Sequence, residues 1–116
     1  MGLAMIAFAL LQEMFAQMRA NTKWNIDGDM LWGYFFFDQD PGKLRLLAEH
    51  LSRNGYRLVS VRETDDRSTC RLHVERVETH TPETLHARNM ELERVADEFC
   101  VERYDGMDVG PANGKD

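Results

Sequence analysis

Residues 31–37 read Leu31-Trp32-Gly33-Tyr34-Phe35-Phe36-Phe37, "LWGYFFF". The run is short, aromatic and apolar at every second position whichever parity is counted. That pattern predicts a strand covered on both faces, hence a central one. The pleat puts Leu31, Gly33, Phe35 and Phe37 on one side and Trp32, Tyr34 and Phe36 on the other. One set must meet a layer of helices. The other would lie on the open side of the sheet.

The flanking segments alternate helix and strand. Asp40-Pro41 opens a helix, since Asp40 can cap it and Pro41 suits its first turn. Leu44, Leu47, Ala48 and Leu51 form its buried face, and Asn54-Gly55 ends it. Tyr56–Glu63 reads as a strand with Val59 and Val61 on one face and Leu58 on the other. Thr69–Glu78 is a strand in which Cys70, Leu72 and Val74 alternate with Arg71, His73 and Glu75. Thr81-Pro82-Glu83 begins a further helix, with Leu85, Leu92, Val95, Ala96 and Phe99 inward. Asn89 shares that face, and a buried amide needs partners; it is expected to bond backbone groups of the closing loop. Val101–Tyr104 is the last strand, ended by the turn punctuation Asp105-Gly106 and Gly110-Pro111.

The order strand-helix-strand-strand-helix-strand predicts an α+β, ferredoxin-like βαββαβ sandwich. Its four-stranded antiparallel sheet carries two helices on one face. The aromatic strand and the Cys70 strand take the middle, and the closing strand takes the edge beside the aromatic one. Ahead of this unit, Leu3–Ala20 predicts an extra N-terminal helix with two apolar stripes. One holds Leu3, Ile6, Leu10, Met14 and Met18, the other Phe8, Leu11 and Phe15. Two stripes fit either a helix laid deep across its own domain or one shared with a second copy in a homo-oligomer. The expected boundaries are 1–22 for this helix, 23–110 for the ferredoxin-like domain and 111–116 for a flexible tail.

With 116 residues, 43% hydrophobic and 29% charged, the chain suits one domain with its own core. Its 14 basic and 20 acidic residues give a net charge of -6. This disfavours bulk phosphate-backbone binding and favours a protein partner with basic segments. The apolar run "GLAMIAFALL" (Gly2–Leu11) is short of a membrane span and lacks a positive start, so no membrane role and a cytoplasmic location are expected. Two cysteines, Cys70 and Cys100, are too few for a disulfide scaffold and fit a reducing compartment.

His50, His73, His80 and His86 show no zinc-ligand spacing and read as surface or capping residues, so no metal is expected. No dinucleotide fingerprint, phosphate loop or nucleophile elbow is present, so no cofactor and no catalytic residue is assigned. Aspartates recur at strand ends: Asp27, Asp29, Asp38, Asp40, Asp105 and Asp108. Turns favour aspartate, so an enzyme with gathered carboxylates is only an alternative reading. A second alternative is an RNA-binding sheet that stacks bases on Trp32, Tyr34 and Phe36.

The closing region "TPETLHARNMELERVADEFCVERYDGMDVG" (residues 81–110) resembles the C-terminal part of the family of the regulator of ribonuclease E activity B. The carrying features are spaced Leu and Ala on a helix, then Phe99, a short acidic strand and Tyr104-Asp105-Gly106. The resemblance implies a ferredoxin-like fold and a non-catalytic protein that binds and inhibits an RNA-degrading endonuclease. Tyr104, Asp105 and Gly106 carry over as the family signature. The chain has Met107 where such members tend to have Trp, and it ends in "GPANGKD" without a long acidic tail. The expected partner-binding residues are Tyr104, Asp105, Gly106, Met107 and Asp108, with Asp27 and Asp29 nearby.

Overall fold

The computed structural model describes residues 7–112. Its elements are α1 (Phe8–Asn21), β1 (Met30–Asp38), α2 (Pro41–Arg53), β2 (Arg57–Glu63), β3 (Cys70–Glu78), α3 (Pro82–Glu98) and β4 (Arg103–Pro111). The strands form one antiparallel sheet in the order β2-β3-β1-β4, so "LWGYFFF" is central and β4 is an edge. This is the expected ferredoxin-like sandwich with an added N-terminal helix.

The helices start where local chemistry dictates. The Asp40 carboxylate accepts the Gly42 N–H at 2.8 Å, ahead of a first turn that holds Pro41. Thr81 and Thr84 form a reciprocal cap on α3. Each arrangement satisfies amides the helix cannot pair itself. In α1 the stripe Leu11, Phe15 and Met18 is buried while Leu10 is exposed and Met14 only half-buried. The buried face thus joins Leu11 and Phe15 of one expected stripe to Met18 of the other, and Leu10 falls outside it; Leu3 and Ile6 lie outside the described residues. Phe15 stacks on Trp32 at 6.0 Å, and Phe8 meets His86 of α3 edge-on. α1 thus lies beside α3, in the layer that already holds α2 and α3.

Trp32, Tyr34 and Phe36 are 0% exposed and face that layer with Leu72 and Val74. The alternative reading in which this trio stacks bases on the open side is overturned. Tyr34 pairs with Val74 and Phe36 with Leu72, and paired residues share a face. Two further expectations fail for a common reason. A bulge at Val59 returns Leu58 and Val61 to the same side of β2. A second bulge lets β4 run from Arg103 to Pro111 instead of stopping after Tyr104. Asp105 is the extra residue there, and Gly106 takes φ +105°, a left-handed conformation that glycine adopts freely. The Asp-Gly pair that reads as a turn is absorbed into a bulge because the strand pairs on both sides of it.

Two buried polar ties fasten α3 to the sheet. Asn89 accepts a hydrogen bond from the Tyr104 hydroxyl and not from loop backbone, while its Nδ2 has no described partner. Glu78, at the end of β3, is the hub of the other. It takes Tyr34 O–H, His80 Nε2–H at 2.8 Å and the Arg88 guanidinium. Burial pushes the Glu78 carboxyl up, but bonds from His80, Arg88 and Tyr34 outweigh it and pull the pKa down to about 2. His80 is itself buried, with Nδ1 2.9 Å from Thr84 Oγ1, so it is no surface histidine.

Removing the Tyr104 hydroxyl leaves the Asn89 amide with neither bond. Tyr104→Phe should cost about 1–3 kcal/mol in denaturant unfolding, the range for a buried unsatisfied polar group. Folding holds Glu78 ionised, so its contribution is present above its ordinary pKa of 4.5 and is lost as pH falls towards about 2. Glu78→Gln should therefore be less stable than the parent at pH 7, by about 1–3 kcal/mol. It should also lose less stability than the parent between pH 5 and pH 2 when thermal unfolding is followed across that window.

Candidate functional site

With all three helices on one side, the other side of the sheet is uncovered by any described element. Register arranges its side chains in transverse rows, each about 7 Å from the next. The first row reads Arg62 (β2), Arg71 (β3), Phe37 (β1), Arg103 (β4). The second reads Ser60, His73, Phe35, Gly106, and the third Arg57, Glu75, Gly33, Asp108. Beyond β2 the last row keeps Val77, Leu31 and Gly110. The face therefore grades from basic through aromatic and mixed-charge to apolar.

Contacts within the rows are specific. Phe35 stacks on His73 at 4.4 Å, and the Arg71 guanidinium sits 4.9 Å from the Phe35 ring. Arg103 lies 4.8 Å over Phe37. Both rings remain half-exposed. Arg57 is ion-paired with the buried Glu75, and Arg103 with Asp105 at 3.1 Å. Arg62 and Arg71 are cross-strand neighbours, and neither is ion-paired with a described residue. A cleft of about 310 Å³ opens between them, lined also by Phe37, Glu63, Thr64 and Asp65.

Gly33 is the low point of the face. A Cβ there would collide with Asp108 Oδ1 and lie 2.8 Å from His73 Nε2, so the missing side chain lets both neighbours lean across the strand. Burial holds the His73 pKa below its ordinary value, although Asp108 pulls the other way. The His73 ring, stacked on Phe35, fills the middle of the second row.

The residues expected to bind a partner divide between this face, the β4 edge and the core. Tyr104 is 2% exposed and tilts against Phe36 at 5.1 Å, so its ring is a core residue and offers a partner no surface. Gly106 is buried at the bulge, and Met107 is half-buried against the core. Asp105 and Asp108 are exposed on β4. Asp27 is exposed and bound to Arg19 through two bonds of 2.9 and 3.1 Å. Asp29 accepts the Thr79 hydroxyl at 2.8 Å. Both precede Met30, which pairs with Pro111, so they stand at the far end of β4 from Tyr104. The strand rise puts about 20 Å between that end and Asp105.

The aspartates at strand ends take structural posts. Asp38 is buried, bound to Lys43 and to the Asp40 and Glu102 amides, and Asp40 caps α2. The six aspartates at strand ends thus do not converge on one pocket; Asp108 lines a cleft of about 240 Å³ with Gly33, His73 and Glu75. No group of three or more His, Cys, Asp or Glu suited to a metal occurs among the described residues. Glu78, with a pKa near 2 and its oxygens taken, exchanges no proton at neutral pH. No helix among the described residues is long and apolar enough to cross a membrane.

Arg62 and Arg103 escaped the sequence reading, which grouped Phe35 with Phe37 on one face and set Arg71 and His73 beside the open side without assigning any of them a binding role. The signal for Arg71 and His73 was present in the alternation of β3. Their pairing with Phe37 and Phe35, however, depends on register, which composition does not encode.

A family model described as regulator of ribonuclease activity B matches residues 9–109, which covers all three helices almost entirely and most of β4. No curated protein matches the chain. The extent of the family match establishes that the chain belongs to that family.

Proposed function

We propose, from membership of the regulator of ribonuclease activity B family, that this protein binds an RNA-degrading endonuclease and modulates it without catalysing a reaction of its own. The endonuclease is of the ribonuclease E kind that the closing residues suggest, and the action is cytoplasmic. The observation that carries the reading is the β4 rim. This strand is an edge, and no described element covers its outer side. Asp105 and Asp108 stand exposed along it, with Asp27 and Asp29 at its far end.

The bulge decides how such a partner would be held. A flat bare edge invites strand addition, whereas a bulge carrying a charged residue interrupts the ladder. Asp105 is that residue here. Recognition would therefore run through side chains, with a basic segment of the endonuclease lying along the acidic rim. Tyr104 supports the rim from below through Asn89, and Met107 anchors its middle to the core. Inhibition would be steric: the bound protein obstructs the endonuclease or its assembly.

Calorimetric titration of the purified endonuclease, alongside an RNA-cleavage assay, tests the reading. The parent protein should bind and slow cleavage. Asp105→Lys combined with Asp108→Lys should weaken binding at least tenfold, while Glu49→Lys on α2 leaves it unchanged. Absence of binding by the parent, or an unaltered affinity of the double variant, would refute the rim as the docking site.

A further inference from the structure

We propose that the uncovered sheet face binds single-stranded RNA, with phosphates on Arg62, Arg71 and Arg103 and bases stacked on the platforms that these arginines build with Phe35 and Phe37. This goes beyond the rim reading and does not depend on it.

The first support is a row that makes poor sense for the free protein. Arg62 and Arg71 stand directly opposite each other across β2 and β3. Like charges in that position destabilise a sheet. The chain has more acidic than basic residues, yet neither arginine is ion-paired with a described residue. Glu63 and Asp65 border the same cleft without pairing to them. A polyanion lying along the row would relieve the repulsion. Arg103, two strands away in the same row, carries the track to the far edge, where a phosphate would compete with Asp105 for its exposed guanidinium.

The second support is the chemistry interleaved with the charge. Phe37 lies between Arg71 and Arg103 within the row, and Phe35 follows one row on. Each ring carries a guanidinium at just under 5 Å. Half-exposed rings and guanidinium planes are the surfaces on which unpaired bases stack. An acidic peptide would use the charges and leave the rings idle. A duplex presents its phosphates and buries its bases, so it too would waste them. The basic zone is one row deep and the ring platform two, and the mixed third row of Arg57, Glu75 and Asp108 bounds both, which limits the footprint to a few nucleotides.

Fluorescence anisotropy with a labelled ten-nucleotide oligouridylate and the protein alone provides the test. Three neutralised phosphates predict a loss of about 20-fold in affinity between 50 and 200 mM salt. Arg62→Glu with Arg71→Glu should weaken binding at least tenfold, and Phe35→Leu, which keeps an apolar side chain in place, should weaken it measurably. Arg53→Glu on α2 should not. Circular dichroism confirms that each variant is folded. No anisotropy change at 50 mM salt would overturn the proposal, as would full binding by the double-arginine variant. Equal competition by polyglutamate would overturn it in favour of an acidic protein segment. Because no endonuclease is present, failure here leaves the acidic rim untouched, and the converse also holds.

Discussion

Everything in this molecule depends on how β1 divides its side chains between two environments. Because strand side chains alternate, the apolar run cannot be buried on one side only. Trp32, Tyr34 and Phe36 fill the gap between sheet and helices, where they are fully buried. Leu31, Gly33, Phe35 and Phe37 are thereby committed to the opposite face, whatever the cost of partial exposure. The antiparallel partners on both sides are then set in register by the same constraint. A slip of one residue would send the three large rings to solvent and Gly33 into the core. The open face is in this sense a by-product of the core: packing selects one parity, and the other is left uncovered by any described element.

The polar ties between α3 and the sheet follow from that packing. Tyr34 and Trp32 are amphipathic, and burial obliges them to find acceptors. Tyr34 reaches the Glu78 carboxylate and Trp32 the Glu78 carbonyl at 3.1 Å, so both rings converge on the last residue of β3. Arg88 then neutralises that carboxylate, and the His80 ring orients it. The resulting network resembles a reaction centre in composition, with a carboxylate, a histidine, a tyrosine and an arginine. Its energetics are those of a fastener. A carboxylate held at a pKa near 2 by three donors has no proton to give and little basicity to offer at neutral pH.

Element type and order were legible in the sequence because each rested on strong local chemistry. The caps at Asp40 and Thr81, the alternation of β3 and the aromatic density of β1 all pointed the same way. What stayed hidden was set by pairing between distant strands. The parity of β1 depends on Tyr34 meeting Val74 and not His73, a single-residue distinction across 40 positions. The Val59 and Asp105 bulges each reverse an alternation midway, and neither announces itself by residue type. Asp-Gly is written the same way whether it turns the chain or bulges it. Tyr104 shows the consequence for function. As the end of a strand it reads as a rim residue, but as part of a strand continuing past a bulge it falls on the core side.

The net charge of -6 is a poor guide to what such a surface binds. Ligands respond to the local field, and here the field is partitioned by the pleat and the edge. Carboxylates are spread over the helices, the turns and the β4 rim, while three arginines share one row of the open face. The two zones meet at Arg103 and Asp105, which are ion-paired to each other in the free protein. A basic segment drawn to Asp105 would compete with Arg103 for that carboxylate and leave the guanidinium, which already lies over Phe37, without its acidic partner. A polyanion drawn to Arg103 would free Asp105 in turn. Occupation of either zone therefore loosens an internal pair that the other zone needs broken. The two zones are thus joined only by the exposed Arg103–Asp105 pair, and an exposed pair is worth no more than ~1 kcal/mol, so each zone keeps its own field.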